Sequence, residues 1–212
     1  MSLLNPNQSY TFSTIFELKP EVDKLVQEFG YSLRRTRLNL PLYSGELDRF
    51  CDTRNRIEEL LPYVNLANET ARREVLIAPV VVDVVHYTRA QLRIEYPIKV
   101  TEQLQGLLDY LLRTQSQLLV IEAKQEDLTN GFTQLASELI ALDQWQDSTD
   151  ISVQPNLVGA VTTGILWQFG VLYRQIKLIE QGLNSYRVTE DLEQLMRILV
   201  AALLDEASDK IY

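Results

Sequence analysis

Residues 107–124 read LLDYLLRTQSQLLVIEAK, and the register of this stretch decides the fold. Two apolar runs, Leu107 to Leu112 and Leu118 to Ile121, flank the polar segment Thr114-Gln-Ser-Gln117. With those four residues as a hairpin loop, Arg113 faces Leu118 and Asp109 faces Glu122. Directly opposed residues place their Cβ atoms about 5 Å apart, and like charges there repel. Residues two apart on a strand share a face, so Lys124 joins Glu122 and Asp109. The spacing puts Leu107, Leu111, Leu118 and Val120 on that carboxylate face as well. Leu108, Tyr110, Leu112, Leu119 and Ile121 fall on the other. A pair apolar on both faces is a central pair, covered on both sides. Carboxylates brought there cost several kcal/mol unless paired or metal-bound. A hard divalent cation takes such oxygen ligands, and Lys124 is placed to steady an attacking water or developing charge.

Outward from this hairpin, the chain alternates helical and extended patterns. Pro20 is suited to opening a helix, with Val22, Leu25, Val26 and Phe29 at helical spacing before Gly30. Residues 1–19 read as an arm or short edge strand, and 31–44 as two short extended pieces around Pro41. Glu46 to Leu61 carries a ragged apolar stripe, and Asn68 is suited to cap a helix bearing Glu69. After Pro79, Val80 to Val85 fits either helix or strand. Leu92 to Val100 alternates like a strand, and Pro97 places it at an edge or bulge. A loop containing Asn130-Gly131 precedes a core-facing helix from Phe132 to Leu142. Val158 to Tyr173 holds one or two strands, and Thr189 caps a final helix from Asp191 to Leu204. The implied class is α/β, a mixed sheet flanked by helices.

Composition narrows the chemistry. The 212 residues suit one domain with an appendage, and an apolar fraction of 46% suffices for a sizeable core. One cysteine, Cys51, excludes an internal disulfide and a thiolate zinc cluster. One histidine, His86, excludes a multi-histidine centre and reads as an edge or helix-end residue. No G-x-x-x-x-G-K loop is present, so the chain carries no ATP engine of that type. Any catalysis falls to carboxylates, lysine and amides. The N-terminus lacks a basic-then-apolar signal pattern, and no apolar run spans a bilayer. A cytoplasmic protein without membrane contact is expected. The net charge of −9 disfavours a phosphate backbone, whose non-specific affinity comes from Lys and Arg. Arg34-Arg35-Thr-Arg37 is the densest basic cluster, and Arg72, Arg73, Arg89 and Arg93 lie near the helix of Glu69.

Asp109 followed by Glu122-x-Lys124 resembles the PD-(D/E)xK nuclease superfamily, the restriction-endonuclease-like fold. Members carry an Asp on one core strand and a (Glu/Asp)-x-Lys on the next. Several branches add a Gln on the following helix in a Q-x-x-x-Y-like motif, where this chain has Gln134 and, in the aromatic position, Glu138. Branches near the N-terminal nuclease domains of type I restriction motor subunits open the first core helix with N-E-x-x-x-R. Asn68-Glu69 to Arg73 is similar, although Glu74 is a second acid there. Val161-Thr-Thr-Gly164-Ile-Leu-Trp167-Gln-Phe169 resembles a late strand of such domains. The initial Pro is absent, since Leu108 precedes Asp109.

The resemblance spans about residues 66 to 200 and implies a nuclease-like core over 66–212. Residues 1–65 would be an N-terminal, mainly helical extension packed on it. It implies a metal-dependent nucleic-acid phosphodiesterase, in first place a DNA endonuclease, with RNA the alternative substrate. Asp109, Glu122 and the Ala123 carbonyl would hold Mg²⁺ or Mn²⁺, and Lys124 would position or deprotonate water. Gln134 would orient Lys124 or contact phosphate, and Glu69 or Glu74 would reach the metal from the first core helix, Glu69 being preferred by its match to N-E-x-x-x-R. The rival reading is a catalytically silent relative, a binding or partner subunit in a defence or toxin system. A homodimer and a partner subunit both stay open.

Overall fold

The computed structural model describes residues 3–5, 7–124 and 127–204. Seven strands form one mixed sheet in the order β1-β7-β6-β5-β4-β3-β2. They are β1 (Ser32–Thr36), β2 (Gln91–Thr101), β3 (Leu104–Arg113), β4 (Leu118–Ala123), β5 (Asn156–Thr162), β6 (Leu166–Tyr173) and β7 (Leu178–Arg187). The pairs β1/β7 and β4/β5 are parallel, and the others antiparallel. No described helix is long and apolar enough to cross a membrane.

The β3–β4 hairpin has the register that its loop spacing predicts. Arg113 pairs with Leu118, Leu112 with Leu119, Leu111 with Val120 and Tyr110 with Ile121. Thr114 closes the loop, its backbone N–H donating to the Gln117 carbonyl at 2.9 Å. All six residues of β4 are buried, as a strand with neighbours on both sides and helices on both faces requires.

One detail departs from simple alternation. Leu108 packs in the same core as Leu111, Leu118 and Val120, while Leu107 is 53% exposed. The expected places of Leu107 and Leu108 are therefore exchanged. The distortion centres on Asp109. Pairing with β2 steps from Ile94–Tyr110 to Tyr96–Leu108 and skips Glu95, whose φ is +51°. A left-handed residue breaks the pleat that alternation assumes.

Helices cover both faces. On one lie α3 (Phe50–Leu60), the short α4 (Glu69–Arg72), α5 (Ala78–Thr88) and α7 (Leu192–Ala201). Their core includes Val80, Val84, Tyr110, Ile121, Trp167, Leu195 and Leu199. A single wide π turn, Arg73–Ile77, joins α4 to α5, so Pro79 sits at the start of α5 and Val80 to Val85 are helical. Proline is tolerated there because its missing N–H would lie in the first turn. His86 falls in the last turn of α5, a helix-end place. On the other face, α6 (Leu128–Gln144) carries α1 (Phe12–Leu18) and α2 (Val22–Glu28), with Phe132, Leu135 and Leu139 in its core.

Several elements correct the sequence expectations. Residues 12–18 are helix, not arm or strand. Thr11 and Thr14 cap each other's backbone N–H at 3.2 and 2.7 Å, and Phe12 and Ile15 are buried. Seven residues are too few for periodicity to declare itself. Asn130-Gly131 lies in the first turn of α6 rather than in a loop, because Asp127 caps the Asn130 N–H at 2.9 Å. Asp191, not Thr189, is the N-cap residue of α7. Residues 161–169 form a strand end, a tight turn with Gly164 at φ +84°, and the start of β6, not one strand. β7 escaped notice because it buries polar residues. Glu180 and Gln181 pair with Arg34 and Arg35 of β1 across the parallel ladder. The first 65 residues thus supply an edge strand as well as helices.

Gly106 anchors the N-terminal segment. Its φ is +150°, and an added Cβ would lie 2.7 Å from the Phe12 ring and 3.1 Å from the Phe12 backbone N. Gly106→Val is expected to cost about 1–3 kcal/mol by overpacking and to loosen α1 selectively. Hydrogen exchange checks this: α1 amides should exchange faster while β3 and β4 keep their protection. Unchanged α1 protection would refute the anchoring role.

Candidate functional site

The site forms where β4 ends and α6 begins. β4 delivers Glu122 and, just past its end, Lys124, and α6 is the crossover that leads to β5, which pairs in parallel with β4. Gly131 permits the approach, since a Cβ there would sit 2.8 Å from Val161 and 2.9 Å from the Lys124 side chain. Gln134 and Glu138 follow one helical turn apart on the sheet-facing side, one above the other.

These side chains form one buried chain of contacts. Lys124 Nζ lies 2.6 Å from Glu122 Oε1 and donates to Gln134 Oε1 at 2.8 Å. Gln134 Nε2 donates to Glu138 Oε1 at 2.9 Å. The Glu138 and Glu122 carboxyls interact in turn. Glu122 is 1% exposed and Glu138 not at all. Both Oε2 atoms are buried and find no donor among the described protein groups. Phe16 of α1 closes the outer side, its ring centroid 4.4 Å from Lys124 Nζ.

Asp109 occupies the adjoining position on β3. Its Oδ2 accepts from the Ala123 N–H at 2.8 Å, and its Oδ1 lies 3.5 Å from Arg73 Nη1. Arg73 also reaches Glu69 at 3.8 Å and Glu95 at 3.6 Å, and stacks on the Tyr110 ring. Glu69 is therefore on the Asp109 side of the cluster, whereas Glu74 is exposed. All the expected residues converge: Asp109, Glu122, Ala123, Lys124, Gln134 and, across Arg73, Glu69. The expected pairing of Asp109 with Glu122 across the ladder is not among the strand pairs, which end at Tyr110–Ile121; past that point β3 is distorted, and Asp109 meets the Ala123 N–H and Arg73 instead.

The electrostatics follow from burial. Desolvation pushes the Glu122 carboxyl well up, and the Glu138 and Asp109 charges push it further. Desolvation likewise carries Glu138 to about 7. The two share a site that admits a single net negative charge at low cost, so the pair retains a proton or recruits a cation. Burial also raises Glu69, with Asp109 adding to it. Burial pulls the Lys124 ammonium down, but Glu122 beside it more than offsets this and leaves it raised. Lys124 is thus a firmly protonated donor at neutral pH.

Four carboxylates, Glu69, Asp109, Glu122 and Glu138, face chiefly Arg73 and Lys124, and two buried carboxyl oxygens lack partners. Among the described residues, no group of three or more His, Cys, Asp or Glu is arranged to hold a metal ion. Mg²⁺ commonly needs only one or two carboxylates and keeps several waters.

The main basic cluster is not a free phosphate-binding strip. Glu180 pairs with Arg34, and Asp23 and Gln181 engage Arg35. Arg93 lies over the Tyr96 ring. A cleft of about 650 Å³ lies at the opposite end of the sheet, among Pro41, Tyr43, Asn156, Tyr173, Ile198 and Leu204. Its lining holds no carboxylate, lysine, arginine or histidine.

Sequence reasoning placed Glu138 only as a substitute for an aromatic and gave it no role. Its signal was Gln134 and Glu138, four apart in a largely apolar helix from Phe132 to Leu142. Phe16 carried no signal, since only the docking of α1 brings it to Lys124. No family model, curated protein or solved structure matches the chain.

Proposed function

We propose that this chain is a restriction-endonuclease-like protein that hydrolyses nucleic-acid phosphodiester bonds with Mg²⁺ or Mn²⁺, DNA being the first-choice substrate. The observation that carries the reading is the arrangement at the end of two adjacent interior strands, β3 and β4. Asp109 on one strand lies against Ala123 of the next, and Lys124 bridges Glu122 and Gln134. The order of these elements supports the resemblance: an acid-bearing helix, an Asp strand, a Glu-x-Lys strand, then a Gln-bearing helix.

Asp109 and Glu122 would hold the ion with the Ala123 carbonyl, and Glu69 would approach from α4. When bound, the ion supplies Lewis-acid polarisation of a phosphoryl oxygen and lowers the pKa of a coordinated water. The chain's own groups do the rest. Glu122 and Gln134 hold the Lys124 ammonium from two sides, leaving one of its three N–H donors for an incoming water or phosphate oxygen. Because Lys124 stays protonated, its role is to position water and stabilise developing charge, rather than to remove a proton. Phe16 and the apolar walls keep bulk solvent off these contacts, which strengthens them.

The rival, a silent binding subunit, draws support from the net charge of −9 and from the acid pairing of Arg34. The test is calorimetric titration of Mn²⁺ into wild type and Glu122→Ala, alongside incubation with plasmid DNA and structured RNA at low salt. Binding in wild type only, with cleavage that EDTA stops, is the expected result. Neither binding nor cleavage of any substrate would favour the silent subunit.

A further inference from the structure

We propose that Glu138 is a positioning residue for Lys124, acting through the side-chain amide of Gln134. The proposal rests on the nuclease reading for its kinetic consequence, but not for its geometry. An amide has a donor end and an acceptor end of nearly the same shape. Which end faces Lys124 depends on what holds the other. At Gln134 the Nε2 end donates to Glu138 Oε1 at 2.9 Å, and this turns Oε1 toward Lys124 Nζ at 2.8 Å. Gln134 is 3% exposed and Glu138 is fully buried, so water does not substitute for either partner.

The helix makes this coupling stiff. Residues four apart on α6 stack on one face, and the packing of Leu135 and Leu139 against Gly159 holds α6 close to the sheet. Removing the acceptor at 138 leaves the Nε2 end of the Gln134 amide unheld. The amide is then free to rotate away from Lys124, and one of the two contacts that hold Nζ is weakened. Glu122 would remain as the firm contact, and the ammonium would swing about it instead of sitting at a fixed point between two acceptors. Glu138 touches neither substrate nor scissile bond in this scheme. Its effect travels through one amide.

The experiment compares Glu138→Met, which keeps apolar volume but removes the acceptor, with Glu138→Gln, whose own carbonyl can accept from Gln134. Two readouts are taken on each full chain. One is kcat and KM for DNA cleavage in Mn²⁺. The other, which needs no nuclease activity, is the rate of Lys124 acylation by a small amine-reactive active ester at fixed pH, followed by peptide mass spectrometry with Lys19 as an exposed internal reference. Glu138→Met is expected to lower kcat about ten- to a hundredfold, as a slight misplacement of a catalytic group does, with KM little changed. It should also raise Lys124 acylation several-fold relative to Lys19. Glu138→Gln should restore most of both. If Glu138→Met does not fold, Glu138→Leu, which also lacks the acceptor, supplies the same comparison against Glu138→Gln.

Unchanged Lys124 acylation in a folded Glu138→Met protein would overturn the proposal. So would equal losses in the Met and Gln variants, because that pattern marks the charge or the fold rather than the acceptor. Altered acylation in a chain that cleaves nothing would uphold the positioning role and sink the nuclease reading instead.

Discussion

Lys124→Ala is expected to lower metal-dependent cleavage by a factor on the order of 10² or more, as removal of a group acting mainly in the transition state does. Lys124 Nζ is 2.6 Å from Glu122 Oε1 and 2.8 Å from Gln134 Oε1, so its ammonium is held in place before substrate arrives. Alanine removes the donor but leaves Asp109 and Glu122 as oxygen ligands. Divalent-ion binding by calorimetry should therefore persist, and it should tighten where the ion replaces the lost positive charge beside Glu122. The loss should fall on kcat, since the group is asked to act on the transition state. Cleavage at wild-type rate by Lys124→Ala would show that the assignment of this lysine is wrong. Loss of both cleavage and ion binding would place Lys124 in structure instead.

The second large effect is on stability. In EDTA, the melting temperature should fall as pH rises from 6 to 8, and Mn²⁺ at pH 8 should restore it. Glu122 and Glu138 both have their carboxyls raised in the folded protein, Glu138 to about 7, chiefly by desolvation. A group whose folded pKa is raised contributes stability below its unfolded value of about 4, and that stability is lost as pH climbs through the folded value. For Glu138 the loss runs from about pH 4 to about pH 7, and for Glu122 it extends well above the usual carboxylate range, so the fall continues past pH 6. Glu69 is shifted the same way. The loss should be on the order of a few kcal/mol, or roughly 5–10 °C at 2–4 °C per kcal/mol for a chain of this size. A bound cation offsets the repulsion and adds mass-action stabilisation of about 2.7 kcal/mol at a hundredfold excess over Kd. Glu138→Gln should flatten the pH dependence by removing one of the two acids. A melting temperature constant from pH 6 to 8 in EDTA would mean that the buried pair is not strained.

Much of the centre of this molecule was legible beforehand for a specific physical reason. A strand has a side-chain period of two, so once Thr114–Gln117 is the loop, every pairing from Arg113–Leu118 to Tyr110–Ile121 follows by counting. The same counting brings Asp109 to the Glu122–Lys124 end. The apolar runs told that this pair is central, because only a strand covered on both faces can afford them. Asn68 capping and the final stripe of Leu192, Leu195, Leu199 and Leu203 were readable from local chemistry alone, the N-cap bond being 2.7 Å and all four leucines buried.

What the sequence could not determine depends on groups far apart in the chain. β7 hides in the sequence because Glu180 and Gln181 look like surface residues until Arg34 and Arg35, some 146 positions away, pair with them. The kink that exchanges Leu107 and Leu108 arises from a left-handed Glu95 on the neighbouring strand, and no pattern within β3 encodes it. Phe16 reaches Lys124 only because Gly106 lets α1 dock. The buried partnership of Glu122 with Glu138 depends on how closely α6 lies on the sheet, which Gly131 and Gly159 allow. Period and capping are properties of neighbouring residues and survive in the sequence. The charge state of a carboxyl depends on the water excluded from around it, and only the packed tertiary structure excludes that water.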